Sequence, residues 1–529
     1  MEKLVIVILM LLNVGTGAFC GPTDLPLKTE SGTYYIDVNS GNDSYPGTES
    51  QPFKTINHAS TVLQPGDTVI INSGIYHETV MGGNSGLPGR PITYQGVDRD
   101  TVILRGSITA TRWLKLGDIW YKSGFRPVTD NNIFILADDD SRLARVSSTG
   151  SIVPGSFFVD PNNTCWIRLK DDSNPNTGHT IDVYELNSSF NAYPEYGGTA
   201  KSYIVLRNMT IEKYGSFGIG APYDQVAINT HWEIDNLKCQ FNVVGLSYAS
   251  DDWYIHDSQF SRNSALGCQI DGSRVRFINN ICNNNNWGGG IIIGGNGHSN
   301  IVRGCNFNNN GDTGSHGYGS GIYLENQSHD NLIENNIING NLHCGIGFYG
   351  GSNNTVINNI ITNMSVNSWW KSTAAIVIGH SYLDDATQSV GNLIAYNTIW
   401  NCFIPLAILE PNRTIDPKEV NVFTNNAFLQ YNKMFNKPKG LVARFNNNAY
   451  FNLWRVNEPN GIDKLDTHPI SGVNPLLTSP QTNDFIPLSN SPLIDAGVTV
   501  SSITTDIRGI SRPQGAYPDI GAYERTSTD

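Results

Sequence analysis

From about residue 203 to 450, short apolar strands alternate with polar turns rich in Asn and Gly, and the alternation recurs along the chain. INNICNNNNWGGGIIIGG from Ile278, ENNIINGNLHCGIGFYGGS from Glu334 and NNIITNMSV around Asn359 share the plan. Each has a short apolar strand with Asn beside it and then a polar turn. In the two longer segments, Gly and alternating apolar residues follow. Taking the Asn of the N-x-I or N-x-F element as register gives Asn280, Asn336, Asn359, Asn397, Asn426 and Asn448. Cys305 holds the equivalent place in RGCNFNNN, and Met209, Leu237 and Ser258 hold it in earlier segments. The tightest steps are 21 or 22 residues.

Short strands and turns at that period predict a solenoid, in which no rung buries its apolar face alone but stacked rungs share one core. A recurring inward Asn fits, because stacked amides satisfy one another from rung to rung. Leucine-rich repeats are excluded by the missing Leu-x-x-Leu-x-Leu pattern, and propeller blades would need roughly forty residues each. The expected fold is therefore all-β. In TINHASTVL, Ile56, Ala59, Val62 and Leu63 have the spacing of one helical face, which predicts a short helix capping the open end of the solenoid. SFFVDPNNTCWIRL alternates like paired strands and predicts a small inserted β subdomain over residues 106–198. The expected layout is an opening module with the first rungs over 33–105, that insertion, rungs over 199–455 and a wrapping segment over 456–529.

Composition narrows the class. Only 15% of the 529 residues are charged while Gly numbers 53, a poor profile for a helical bundle. The net charge of -13, without basic blocks, argues against nucleic acid as a partner. Lys3, the apolar run Leu4 to Leu12 and small residues up to Ala18 read as an export signal over residues 1–18, favoured over a lipid anchor on Cys20 because Phe19 precedes it. No later stretch is apolar enough to span a membrane, and the expected state is a secreted monomer. Eight cysteines in so long a chain form no disulfide framework, and most read as small buried residues on rungs.

The opening YYIDVNSGNDSYPGTESQPFKTINHASTVLQPGDTVIINSGIYHE (Tyr34 to Glu78), the rungs, and the closing SPLIDAGV and DIGAYE together resemble the pectate-lyase-like superfamily. The resemblance implies a right-handed parallel β-helix and a polysaccharide as substrate. It leaves the activity open, since the superfamily hosts lyases, hydrolases, epimerases and surface proteins.

Aligning the Gly that opens each rung's second strand gives Gly218, Gly245, Gly267, Gly290, Gly321 and Gly345, then Ala375 and Ala407. Two residues on, Gln269, Ile292, Tyr323, Gly347 and Val377 are expected to face outward; four on come Asp271, Gly294, Glu325, Tyr349 and Gly379. Asp271 and Glu325 thus share a column two rungs apart, their backbones about 9.6 Å apart at the usual strand spacing. Paired carboxylates are what glycosidic hydrolysis needs, one to protonate the leaving oxygen and one to activate water or attack carbon. Long steps in the repeat add NGDTGSHGYG, with His316, and SVNSWWKST and GHSYLDDATQ, with Trp369, Trp370, Lys371 and His380. Such loops gather on the binding face of solenoids. The tryptophans, together with Gln269, Tyr323, Tyr349 and His380, are the candidate substrate contacts. His316, Lys371 and His380 are candidate acids or bases.

Three readings stay open. In a hydrolase, Asp271 and Glu325 carry the work without metal. In a lyase of the kind the resemblance implies, Lys371 is the base and a Ca2+ held by carboxylates, with Asp251 and Asp252 as candidate ligands, neutralises the substrate's charge. No complete family calcium motif is present, nor is the Asn-Thr-Asp, Gly-His-Gly and Arg-Ile-Lys set of polygalacturonases. In a non-catalytic adhesion protein the groove binds glycan only. The opening module followed by a small β insertion resembles some β-helix glycosidases and favours hydrolysis.

Overall fold

The computed structural model describes residues 30–125, 136–138, 141–191, 201–220, 229–311, 319–364, 374–379, 387–409, 415–431, 443–451 and 462–529. Three parallel sheets run the length of a solenoid. The first holds thirteen described strands from Thr33–Ile36 to Ala443–Asn446, and the second thirteen from Gly74–Tyr76 to Ile470–Ser471. The third holds nine, from Ser188–Asn191 to Leu406–Ile408. One rung takes one strand from each: Arg276–Ile278, Ile281–Asn283 and Gly289–Ile293, after which Ile301–Arg303 opens the next. Every strand pairs with its counterparts in the rungs on either side, so the core is built of stacks of like residues. Cys282, Phe307 and Ile338 form one such stack and are wholly buried.

Two consecutive residues turn the chain at a corner. In the rung above, Asn279, Asn284 and Ser299 have φ of 55°, 57° and 58°, and each is followed by a buried Asn: 280, 285 and 300. A left-handed residue between two extended ones bends the strand sharply, and Asn tolerates that region better than most residues. This is why the sequence reads N-N at corner after corner.

The inward asparagines form a ladder at each of the three corners. At the first, Asn336, Asn359, Asn397, Asn426 and Asn448 stack, with Oδ1 of each accepting both the backbone N–H and the Nδ2 of the one before at 2.8–3.0 Å. Ser258 and Cys305 stand in at two rungs: the Ser258 hydroxyl accepts from Leu237 N, and the Cys305 sulfur from Asn280 N. At the second corner the ladder is Asn242, Asn263, Asn285, Asn310 and Asn341. At the third it is Asn300, Asn331, Asn354, Asn392 and Asn421. A buried amide without partners costs free energy, and these ladders leave none unpaired.

The ends are closed by local elements. The helix Ile56–Val62 is capped by the Thr55 hydroxyl, which accepts from His58 N, and Glu78 accepts from Ile56 N and Asn57 N; it buries Ile56 and Ala59 against the first rung. The described residues between 107 and 184 fold into two sheets, one antiparallel and one mixed, around Phe157, Cys165, Ile167, Ile181 and Val183, inserted between Val102–Arg105 and the first strand of the third sheet. The C-terminal segment packs Phe485, Leu493, Ile520 and Ala522 onto Ile360, Trp400, Ala427 and Leu429 on the second sheet's outer side. There Glu524 pairs with Arg512 at 2.9 Å, both fully buried. The seven described cysteines are all free and buried. No helix among the described residues is long and apolar enough to cross a membrane.

Asn359→Ala should lower unfolding free energy by about 2–4 kcal/mol, since it strands the donors of Asn336 and two carbonyls in a dry corner, each costing about 1–3 kcal/mol. Asn306→Ala, outward on the second sheet, should change it by less than about 0.5 kcal/mol. Equilibrium denaturation of both variants checks this, and equal losses would show that the ladder does not hold the rungs.

Candidate active site

Strand register on the third sheet sets the site. Gln269, Ile292, Tyr323, Gly347, Val377 and Ala407 pair in one column. Their neighbours Ile270, Ile293, Leu324, Phe348 and Ile378 point into the core. One residue on, Asp271 and Gly294 follow the paired Ile270 and Ile293, and Glu325 pairs with Tyr349, which pairs with Gly379. Asp271, Gly294 and Glu325 therefore occupy successive rungs of one column. The expected alignment fails at its last step. Ile376 pairs with Leu406, so Pro405 and not Ala407 stands opposite Ala375. The turn from Cys402 into that strand is short, and it brings the strand in two residues early.

The glycines of this sheet serve different ends. A Cβ on Gly267 would lie 2.5 Å from the Gly290 carbonyl oxygen, and one on Gly290 would lie 2.5 Å from that of Gly321. No real Cβ stands so close, so this column is glycine because successive backbones touch. Gly294 is different: a Cβ there would meet Asp271 Oδ1 at 3.5 Å and Glu325 Cγ at 3.8 Å, which is ordinary contact. The two acidic side chains thus converge on the space above Gly294.

Both carboxylates are largely withdrawn from water. Asp271 is 5% exposed, and its oxygens accept from Gln269 Nε2 at 3.1 and 3.3 Å. Burial pushes its pKa up to about 6, against a smaller opposite pull from Gln269. Glu325 is pushed up to about 7, by burial first and then by the charge of Asp271. Among the described residues no Lys, Arg or His forms an ion pair with either. The pair is coupled, and its protons come off in steps that belong to both groups.

Beside Glu325, Tyr323 and Tyr349 are buried, at 4% and 1% exposure, in a cluster with Cys344, Ala374, Val377 and Ile404. The Tyr323 hydroxyl bonds His343 Nδ1 at 2.7 Å, and burial lowers the pKa of His343 to about 4, which keeps it neutral. His343 is absent from the sequence-based candidates. Its only signal is a polar residue beside the glycine column in NLHCGIG. His316, Trp369, Trp370, Lys371 and His380 lie outside the described residues. Asp251 and Asp252 sit in the turn one rung before Asp271, where Arg274 donates to both at 2.7–3.2 Å and Ser273 N–H donates to Asp251 at 2.8 Å. A guanidinium already occupies their oxygens, so this pair does not fit a Ca2+ site. On the outer face of the first sheet, Glu233, Asp235 and His256 bring possible ligand atoms within 4.8 Å of one another, but Arg207 pairs with both acids.

Residues 225–383 match the family model described as a right handed beta helix region, and residues 39–82 match a protein of unknown function (DUF1565). A solved structure of XylC in complex with xylose aligns with 93% of this chain and 98% of its own at a TM-score of 0.64 and 14% identity. The fold is a right-handed parallel β-helix. Pectate lyase Pel9A aligns over 95% of this β-helix and 98% of its own chain, at 15% identity and a TM-score of 0.47. Over 80 residues the β-helix is 39% identical to the uncharacterized protein YwoF of Bacillus subtilis (strain 168), a match spanning only 17% of that relative's length.

The raised pKa values make the pair a cost to folding. The folded state holds these protons more tightly than the unfolded chain, so stability is full below the ordinary carboxylate range and falls as pH rises through about 6 and 7. Asp271→Asn and Glu325→Gln should each be more stable than the parent at pH 8, by about 1–3 kcal/mol, and equal to it near pH 4. Melting curves at the two pH values check this; variants that melt lower at pH 8 would show that the carboxylates stabilise the fold.

Proposed function

We propose that this protein hydrolyses glycosidic bonds of a polysaccharide, with Asp271 and Glu325 as the catalytic pair. The observation that carries the reading is the convergence of a buried and a half-buried carboxylate, without a counter-cation among the described residues, on a position that has no side chain. Burial and mutual repulsion hold a proton on the pair at neutral pH, which is the state that general acid catalysis needs. Glu325, the weaker acid, gives its proton to the leaving glycosidic oxygen as the bond to the anomeric carbon breaks. Asp271, ionised first, either takes a proton from the water that attacks that carbon or attacks it directly. Gln269 orients the Asp271 carboxylate. β-Elimination would instead need a cation to offset a substrate carboxylate, and no Lys or Arg among the described residues stands at the outward positions beside the pair. XylC was solved with xylose, but at 14% identity that likeness speaks for the fold. The carboxylate pair carries the chemistry.

Reducing ends should appear without the ultraviolet absorbance of an unsaturated product. Asp271→Asn and Glu325→Gln should each lower kcat by about 10³-fold or more on polymer, a loss of the size expected for removing an acid or base. Glu325→Gln should keep far more activity on aryl glycosides whose leaving group needs no proton, and should lose the fall in rate above about pH 7. Unsaturated product, or polymer cleavage undiminished in both variants, would overturn the assignment.

A further inference from the structure

Gly294 has no backbone reason to be glycine. It is not among the glycines with positive φ, whereas Gly295 beside it has φ of 56°, and a Cβ there would crowd Asp271 Cγ at 3.0 Å. A methyl group on Gly294 would touch Asp271 Oδ1, Ile292 Cγ2 and Glu325 Cγ at 3.5–3.8 Å, contacts that any well-packed side chain makes. The fold would accept alanine there. What glycine preserves is empty space, bounded along the solenoid axis by a carboxylate on each side.

The neighbours of that space say what fits it. On the adjoining column lie Gln269, Ile292 and Tyr323, and further along its own column lies Tyr349. Among the described residues, the outward positions of these rungs of the third sheet hold no Lys or Arg. A sugar acid seated here would bring a third carboxylate beside two that already repel one another and are largely screened from water, where charges act strongly. Hydroxyl groups meet no such penalty and find acceptors in the carboxylates and an amide in Gln269.

We infer that Gly294 is a specificity-determining residue, its bare Cα seating the reacting ring of an uncharged glycan between Asp271 and Glu325. The inference rests on the hydrolytic reading of the pair, and the test separates the two. The purified full chain is assayed for reducing ends on galactan, mannan and linear xylan, and on polygalacturonate and alginate. Cleavage is expected on at least one neutral polymer and on neither uronate. On that neutral polymer Gly294→Ala should lose about 100-fold or more in kcat/KM, as expected for blocking a seat for substrate, with an unchanged melting temperature. In the Asp271→Asn background, calorimetric binding of an oligosaccharide of the same polymer should weaken about tenfold or more when Gly294→Ala is added. Activity of Gly294→Ala within about threefold of the parent, cleavage of a uronate, or cleavage of no neutral polymer overturns the inference. Full activity in Asp271→Asn and Glu325→Gln would instead remove the pair itself.

Discussion

Every rung of this solenoid buries its corners, and a buried corner carries backbone groups that water cannot reach. The structure depends on how these are satisfied. An Asn side chain copies the peptide group in miniature, one acceptor and two donors, and stacking at the rung spacing lets it bond its neighbours above and below. Asn359 illustrates the economy: it accepts from Asn336 twice and donates to Asn397, Ile333 and Ile357. With the corners held in this way, the three-residue strands between them need only short apolar side chains to close the core.

The same regularity makes the candidate site possible. Corners locked at fixed positions lock the register of the strands that follow, so side chains on the third sheet fall into columns without further instruction. Asp271 and Glu325 meet because they are two steps along one column. The cost is local: Asp271 is buried with one amide, Gln269, as its partner, and Glu325 is half-buried beside it. A stiff scaffold tolerates that cost, because neighbouring rungs cannot relax to relieve it. Preorganised charge of this kind is a frequent property of active sites, where stability is spent on function.

Much of this was legible in the sequence, and what was not has physical causes. The first-corner ladder shows because the N-x-I element follows it directly, and the cap helix shows because its apolar spacing is local. The second and third ladders were missed. Their members recur at the same steps as the first, 25 residues from Asn285 to Asn310 and 31 from Asn310 to Asn341, so the period alone does not separate one ladder from another. A better signal was inside the rung: Asn280 and Asn285, or Asn336 and Asn341, stand five apart because a three-residue strand separates those corners. The Asp271–Glu325 column was readable because parity survives along paired strands. The burial of Tyr323 and Tyr349 was not, since it comes from residues of later rungs such as Ile404 that no local pattern links to them. The offset at Ala407 escaped for the related reason that a turn's length cannot be read from the strand it precedes.

The first ladder also has a direction and an end. Each amide offers its N–H groups towards the next rung, and the last of them, Asn448, donates its backbone N–H and Nδ2 to Asp466 Oδ2. The Tyr450 hydroxyl donates to the same oxygen. A carboxylate oxygen accepts but carries no N–H to pass on. Asp466 is therefore a full stop written in hydrogen bonds. A further coil could not hang from it as each coil of this ladder hangs from the one before, so the first-corner ladder is closed by one residue.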